Sequence, residues 1–496
     1  MARPDQPQPL TLTEAIIPVA GLILLVALSF YLFGDAGAGG PNQVALTVAT
    51  MIAAFIGWRR GHSLDSLREA AVASVGSGIG AMFILFAVGA LIGTWALSGT
   101  LVAMVYYGLQ LLSPNYFYVT TCAISAVVSF SIGSSWTTVG TIGVGLMGIA
   151  LNMDLSPAIT AGAVISGAYL GDTTSPLSDS ANLAAAAGGV DLYKHLRETA
   201  LTSLLAVAIA LAVFFLLGRP GDFDASEKLR AIESAFDITV WLFVPLVVVI
   251  SLALLKFPPF TAIFIGALVG GVLAAVVAPE RVIALGGPTR GVPDWLAVIK
   301  GVWRALASGY KSDTGYAAID TLASRGGMES MLNTIWLVIT ALAFGGVVEK
   351  AGVLERLIAP VLAAAKSAGT LVTALVGSVF ATNVVTADQY IAIVLPGRMF
   401  RPAFEKRGFA PVVLTRTIAA SGTPTSALIP WNSCGAYMAA TLGVATFSYL
   451  PYAIFNFASP LLAIAIAYLG VRMLRGPGAP EHAPAESPGS VPAQND

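Results

Sequence analysis

Two carboxylates, Asp172 and Asp179, stand in the run SGAYLGDTTSPLSDSANLAAAAGG, residues 166–189, with five hydroxyls from Thr173 to Ser180, an amide at Asn182 and a proline at Pro176. Apolar helices are expected close on both sides. A charge at bilayer depth is expensive, and backbone freed by proline needs new partners. Such a segment cannot face lipid; it is stable against protein or a watery cavity. A helix broken inside the membrane, with its oxygens around a cation, meets that requirement.

Sodium is a hard cation that prefers oxygen ligands. The first half supplies Ser175, Asp179 and Asn182, and an earlier polar interruption adds Thr137 and Thr138. The second half supplies Thr382, Asn383, Asp388, Asn432 and Ser433. Asp179, Asn182, Ser175 and Asn383 are the expected sodium ligands, joined by backbone carbonyls around Pro176 and Pro430. A continuing helix would put Ser175 and Asp179 on one face. Asp172 and Asp179 have Pro176 between them, so a shared face is not assured. Desolvation disfavours the charge of a buried carboxylate. Near neutral pH such a group holds either a proton or a sodium ion, and binding one expels the other. Asp179 is the first choice for this role, with Asp172 and Asp388 next.

Composition sets the compartment. The 496 residues are 56% hydrophobic and 11% charged, with mean hydropathy +0.81. Soluble globular chains carry far more charge. The long apolar runs imply one polytopic domain in the plasma membrane. The net charge of −1 implies no nucleic-acid partner. The first apolar run, 16–33, lacks a cleavage pattern and reads as a retained helix. Cys122 and Cys434 read as small packing residues. His62, His195 and His482 are not placed mid-helix, so a histidine-bound metal is not expected. No prosthetic group is expected.

A hydrocarbon core takes about 20 apolar residues per helix. The expected helices are 13–33, 42–58, 77–98, 101–113, 116–131, 137–152, 157–171, 180–189 and 199–217. Those of the second half are 238–256, 259–278, 330–348, 353–365, 370–386, 388–400, 410–423, 431–443 and 447–470. Several are too short to cross alone and suit re-entrant hairpins and half-helices. Residues 218–236 read as a surface linker and 476–496 as a disordered cytoplasmic tail. Asp294 to Leu306 reads as an interfacial helix with Trp295, Val298, Ile299, Val302 and Leu306 on one face. Basic clusters at Arg59, Arg60 and Arg68, at Arg398, Arg401, Lys406 and Arg407, and at Arg472 and Arg475 place both termini in the cytoplasm.

Landmarks recur at a fixed offset. Pro157 and Pro411 differ by 411 − 157 = 254, and Ser113 and Ser367, Trp136 and Tyr390, and Pro176 and Pro430 share that spacing. Gly99 and Gly352 fall one residue off it. The expected fold is therefore all-α, with two structural repeats, about 10–217 and about 237–470, in one transporter domain spanning 1–475. Each repeat carries two polar interruptions, and inversion in the membrane is the common arrangement for such pairs.

At GAYLGDTTSPLSDSANLAAAAGGVDLYKHL (167–196), SRGGMESM (324–331), TNVVTADQYIAIVLPGRMF (382–400) and SGTPTSALIPWNSCGAYMA (421–439), the chain resembles the NhaC family of sodium/proton antiporters. The resemblance covers most of residues 10–470. It implies secondary active exchange of sodium and protons, and some relatives exchange small organic anions such as malate and lactate. The family pattern usually has a lysine after the first aspartate of the broken helix, where this chain has Thr173.

The rival transporter reading, an organic-anion exchanger, asks for a deep cation, and Arg416 is the candidate. An intramembrane aspartyl protease, suggested by Leu170-Gly171-Asp172, needs two facing aspartates that share a proton. The chain offers no second aspartate in such a context, so it is not read as an enzyme. The expected partners are sodium, protons and the lipid bilayer, with a homodimer left open.

Overall fold

Without water in a hydrocarbon core, backbone polar groups must be paired within each segment, which leaves helices as the open-chain solution. The computed structural model describes residues 7–218, 225–287, 293–312, 320, 324 and 326–476. Its regular elements are helices, with one isolated bridge between Phe409 and Arg475. Among the described residues, eight helices are long and apolar enough to cross a membrane, or nine if the pair Thr446–Tyr452 and Ile454–Tyr468, bent by 55°, counts as one.

The chain opens with α1 (Leu12–Phe33) and α2 (Pro41–Arg59), which pack together. Thr11 and Glu14 form a capping box at the start of α1, and Arg60 Nε donates to Glu14 Oε1 across 2.9 Å, tying the ends of the two helices. A short helix, α3 (Leu64–Ser77), follows. Apolar run length gives no sign of it, because it lacks a long apolar stretch. Next come α4 (Ile79–Ser98), α5 (Thr100–Leu111) and α6 (Phe117–Ile132). Then α7 (Ser135–Thr138) runs through a π-helical turn, Val139–Gly143, into α8 (Val144–Asn152). The half ends with α9 (Pro157–Thr174), α10 (Asp179–Gly188) and α11 (Leu192–Leu216).

Part of the expected linker is a helix, α12 (Ser226–Ala235), while 219–224 lie outside the described residues. It is held to the first half by Lys228 Nζ on Asp154 Oδ2, 2.8 Å, and by Tyr106 OH on Glu233 Oε1, 2.6 Å. Four helices follow: α13 (Val244–Leu254), α14 (Pro259–Val277), α15 (Pro279–Gly286) and α16 (Asp294–Ser308). α16 packs on the protein through the small stripe Ala297, Gly301 and Ala305, while Trp295 and Ile299 of the expected interfacial face are exposed, 63% and 44%. Close backbone approach explains it: a Cβ on Gly301 would lie 2.0 Å from the Val282 carbonyl oxygen.

The second half holds α17 (Leu332–Lys350), α18 (Val353–Ala364), α19 (Ala368–Thr386), α20 (Gln389–Lys406), α21 (Pro411–Ser426), α22 (Ser433–Leu442), α23 (Thr446–Tyr449) and α24 (Ile454–Tyr468). Element boundaries keep the spacing seen in the sequence. Ser135 and Gln389 open α7 and α20, and Asn152 and Lys406 close α8 and α20. Pro157 and Pro411 open α9 and α21; Asp179 and Ser433 open α10 and α22. Each pair stands 254 residues apart. The expected tail, beyond residue 476, lies outside the described residues.

Small residues set the contacts that position the centre. α6 lies against α9, where a Cβ on Gly171 would come 2.1 Å from the Ser129 carbonyl carbon. The Ser129 hydroxyl donates to the Ala168 carbonyl at the same contact. The ten-residue helices α10 and α22 are about 15 Å long and too short to cross a core of about 30 Å.

Candidate cation site

Four helix N-termini meet near the centre of the chain, each opened by a polar cap. Ser134 caps α7 and Ser178 caps α10, accepting from the amides of Thr137 and Ala181, both at 3.2 Å. Asp388 caps α20 with Oδ1 on the Ile391 amide, 2.8 Å, and Asn432 caps α22 with Oδ1 on the Cys434 amide, 3.0 Å. Left-handed residues make the sharp turns before two of them: Gly133, φ +80°, and Ala387, φ +57°. Helix N-termini carry partial positive charge and favour oxygen anions nearby.

Asp172, near the end of α9, occupies that junction and is 7% exposed. Ser135 Oγ donates to its Oδ2 across 2.5 Å. The Ser178 and Ser180 hydroxyls lie 3.0 Å from its Oδ1, and Ser178 also reaches the Asp172 carbonyl at 2.6 Å. Ser180 Oγ accepts from Gln389 Nε2 at 2.6 Å. Gln389 Oε1 in turn faces the Ser426 hydroxyl at 2.9 Å and the Cys434 thiol at 3.1 Å. One polar chain thus runs from α7 and α9 through α10 to α20, α21 and α22. Trp136 and Tyr437 stack beside it, centroids 4.1 Å apart, and Tyr437 OH donates to the Trp136 carbonyl.

A second cluster adjoins it. Asn383 Nδ2 donates to the Gly422 carbonyl, 2.8 Å, and to Thr425 Oγ1, 3.0 Å. Asn432 Nδ2 lies 3.1 Å from both the carbonyl and Oδ1 of Asn383. The expected residues Asn383 and Asn432 are therefore brought together, both fully buried. Thr382 is buried with its hydroxyl on the Ser378 carbonyl. Thr137 and Thr138 are buried and turned back on Ser134. Ser433 donates its amide to the Ala387 carbonyl.

Three expected placements differ. Asp179 and Asn182 are exposed on the wall of a cavity of about 740 Å³, whereas Asp172 and Asp388 are both buried, and of these two it is Asp172 whose carboxylate accepts from side-chain hydroxyls. Asp179 is the first residue of α10, where the chain has just left the break and its side chain turns to the opening. Ser175 does not share a helix face with Asp179, because the helix stops at Thr174; its buried hydroxyl accepts from the Leu177 amide inside the break. Thr173, at the family's lysine position, back-bonds to the Tyr169 and Leu170 carbonyls and faces Ser203 of α11.

Ser135, Gln389 and Ser426 are not among the expected ligands; Ser178 and Ser180 enter the sequence reading only among the five hydroxyls of the break, and Cys434 only as a packing residue. The signal for Gln389 was its place beside the helix-opening Asp388; the others read as ordinary small residues. Asp172, Asp179, Asp388, Gln389, Ser433 and Cys434 line the cavity, together with Lys256. Arg416, the expected anchor for an organic anion, is engaged by Glu198 at 3.8 Å. The oxygens around Asp172 suit a hard cation. Among the described residues, no cluster of three or more His, Cys, Asp or Glu side chains could hold a metal.

Apolar spanning helices around a buried carboxylate and capped short helices define a multi-pass α-helical membrane protein. The chain belongs to the Na+/H+ antiporter family, whose pattern matches residues 9–217 and 167–471. It is 37% identical to the Na(+)/H(+) antiporter NhaC of Alkalihalophilus pseudofirmus, over 86% of this chain and 90% of that one. It is 35% identical to the malate-2H(+)/Na(+)-lactate antiporter of Bacillus subtilis, over 93% and 95%. The arginine/ornithine antiporter ArcD of Halobacterium salinarum is 34% identical, over 96% and 95%.

Proposed function

We propose that this protein exchanges sodium for protons across the membrane, with Asp172 as the group for which the two compete. The observation that carries this reading is the Asp172 carboxylate itself, buried at the meeting of broken helices with three hydroxyls on its oxygens. As a carboxylate, Asp172 accepts hydrogen bonds from those hydroxyls. When sodium arrives, the carboxylate and the hydroxyl oxygens offer it a ready oxygen shell. When a proton arrives instead, Asp172 becomes neutral, the attraction for the cation is lost, and sodium leaves. Asp179 and Asp388 on the cavity wall draw the cation inward and share its passage. Asn182, Ser175, Thr137, Thr138, Thr382, Asn383, Asn432 and Ser433 shape the surrounding polar lining. The name of the Alkalihalophilus relative supports the same exchange.

The constant offset of element boundaries supports two structural repeats, one through α11 and one from the region of α13 onward; inversion of one against the other is the arrangement common to such transporter pairs. Each repeat then gives one broken pair to the centre: α9 and α10 in the first, α21 and α22 in the second. Alternating access follows if one repeat rocks against the other around Asp172. The basic clusters support cytoplasmic termini.

A second reading, exchange of a small organic anion, is favoured by the cavity, whose volume far exceeds that of one bare ion, and by Lys256 on its wall. The names of the Bacillus subtilis and Halobacterium salinarum relatives point the same way. Everted vesicles separate the two. Sodium-dependent proton flux without any organic acid supports sodium/proton exchange, and flux that requires malate or lactate overturns it.

A further inference from the structure

The residues that hold Asp172 have counterparts 254 positions later: Gln389 for Ser135, Ser426 for Asp172 and Cys434 for Ser180. Each trio sits at matching places on its helices. Ser135 and Gln389 are the first residues of α7 and α20, and Ser180 and Cys434 are the second residues of α10 and α22. Each trio is also closed by its own hydrogen bonds. In the first, Ser135 and Ser180 donate to the Asp172 carboxylate. In the second, the Ser426 hydroxyl and the Cys434 thiol are aimed at Gln389 Oε1. All six side chains are buried. The trios touch where Gln389 Nε2 donates to Ser180 Oγ. An amide nitrogen only donates. Ser180 therefore accepts from Gln389 and turns its own proton to Asp172.

The two trios are alike in placement and differ in charge. The first holds a carboxylate; the second holds an amide, a hydroxyl and a thiol. We propose that Gln389, Ser426 and Cys434 form an uncharged second half-site for the transported cation, and that Gln389 determines specificity by keeping the hydrogen-bonded centre at one carboxylate, matched to a univalent ion. This rests on the reading of Asp172 as the ion-holding acid. One carboxylate among neutral oxygens balances one positive charge. Asp179 and Asp388 line the cavity outside this hydrogen-bonded network, so a divalent ion held at Asp172 would keep a charge that no carboxylate in the network balances, which is costly. Calcium sites supply several oxygens and commonly more than one carboxylate. A carboxylate at 389, one hydroxyl away from Asp172, or at 426, the position equivalent to Asp172, would remove that barrier.

The test uses the full-length protein reconstituted in proteoliposomes, with calcium chloride titrated against sodium-driven proton flux. Gln389→Glu and Ser426→Asp are expected to be inhibited at calcium concentrations at least tenfold below those that affect the wild type. In detergent, calcium is expected to raise the melting temperature of both variants and to leave the wild type unmoved, a readout that survives if transport is lost. A third variant, Gln389→Met, keeps the volume without the amide. It is expected to raise the half-saturating sodium concentration about tenfold, with flux at saturating sodium retained. Wild-type calcium responses in the folded carboxylate variants, or an unchanged sodium requirement in Gln389→Met, would overturn the half-site. An Asp172→Asn protein that still exchanges sodium for protons would instead overturn the reading beneath it.

Discussion

The hydroxyl of Ser135 donates to the carboxylate of Asp172 across 2.5 Å, joining the first residue of α7 to the last turn of α9. This bond crosses between the two polar interruptions of the first half. It fixes one carboxylate oxygen, while Ser178 and Ser180 fix the other from α10 and its cap.

Removing single hydroxyls should therefore weaken sodium binding without abolishing exchange. A hydrogen bond to a charged group contributes about 1.5 to 3 kcal/mol, so Ser135→Ala and Ser180→Ala should each raise the half-saturating sodium concentration by roughly tenfold or more. Sodium titration of dye dequenching in everted vesicles measures it. Unchanged titrations would remove these hydroxyls from the site.

Asp179 stands on the exposed wall of the cavity. A charge there gathers cations, and salt screens its effect. Asp179→Asn should keep exchange at saturating sodium and raise the half-saturating concentration several-fold, with the difference shrinking as choline chloride is added. Complete loss of flux at saturating sodium would return the coupling role to Asp179.

The packing of α6 on α9 sets the depth of Asp172. A Cβ at Gly171 would meet Ser129 backbone, which cannot yield as a flexible side chain does. Gly171→Ala should cost on the order of 1–3 kcal/mol and lower the melting temperature in detergent. An unshifted melting curve would show that the contact is looser than described.

Lys256 distinguishes the two transport readings. Lys256→Ala should leave sodium/proton exchange intact. If malate or lactate is also carried, its uptake should fall by about fivefold, the effect of losing roughly 1 kcal/mol at an exposed ion pair. Equal loss of both activities would place Lys256 in the sodium path.

Much of the scaffold is legible in the sequence. The bounds of α9, α10, α21 and α22 lie within a few residues of those expected, because Pro157, Pro176, Pro411 and Pro430 punctuate apolar runs of membrane length. The direction of side chains after a break is not legible. Asp172 and Asp179 are equally acidic in the sequence, and only the turn at Ser175–Ser178 sends one inward and the other to the opening. Cys434 reads as a packing residue, and it does pack; its thiol also meets Gln389, which depends on two helices distant in sequence. Helix α3 is not legible as a run of apolar residues because it packs on α17 through small contacts, where Gly346 admits the Ala70 carbonyl, and buries little else than Leu67 and Ser74.

The most direct measurement is sodium-driven proton flux in proteoliposomes containing purified Asp172→Asn protein, beside wild type of equal melting temperature. The account predicts that the variant moves no protons in response to sodium at any pH between about 6 and 9, because its amide cannot trade a proton for a cation. Wild-type flux in that variant would contradict it.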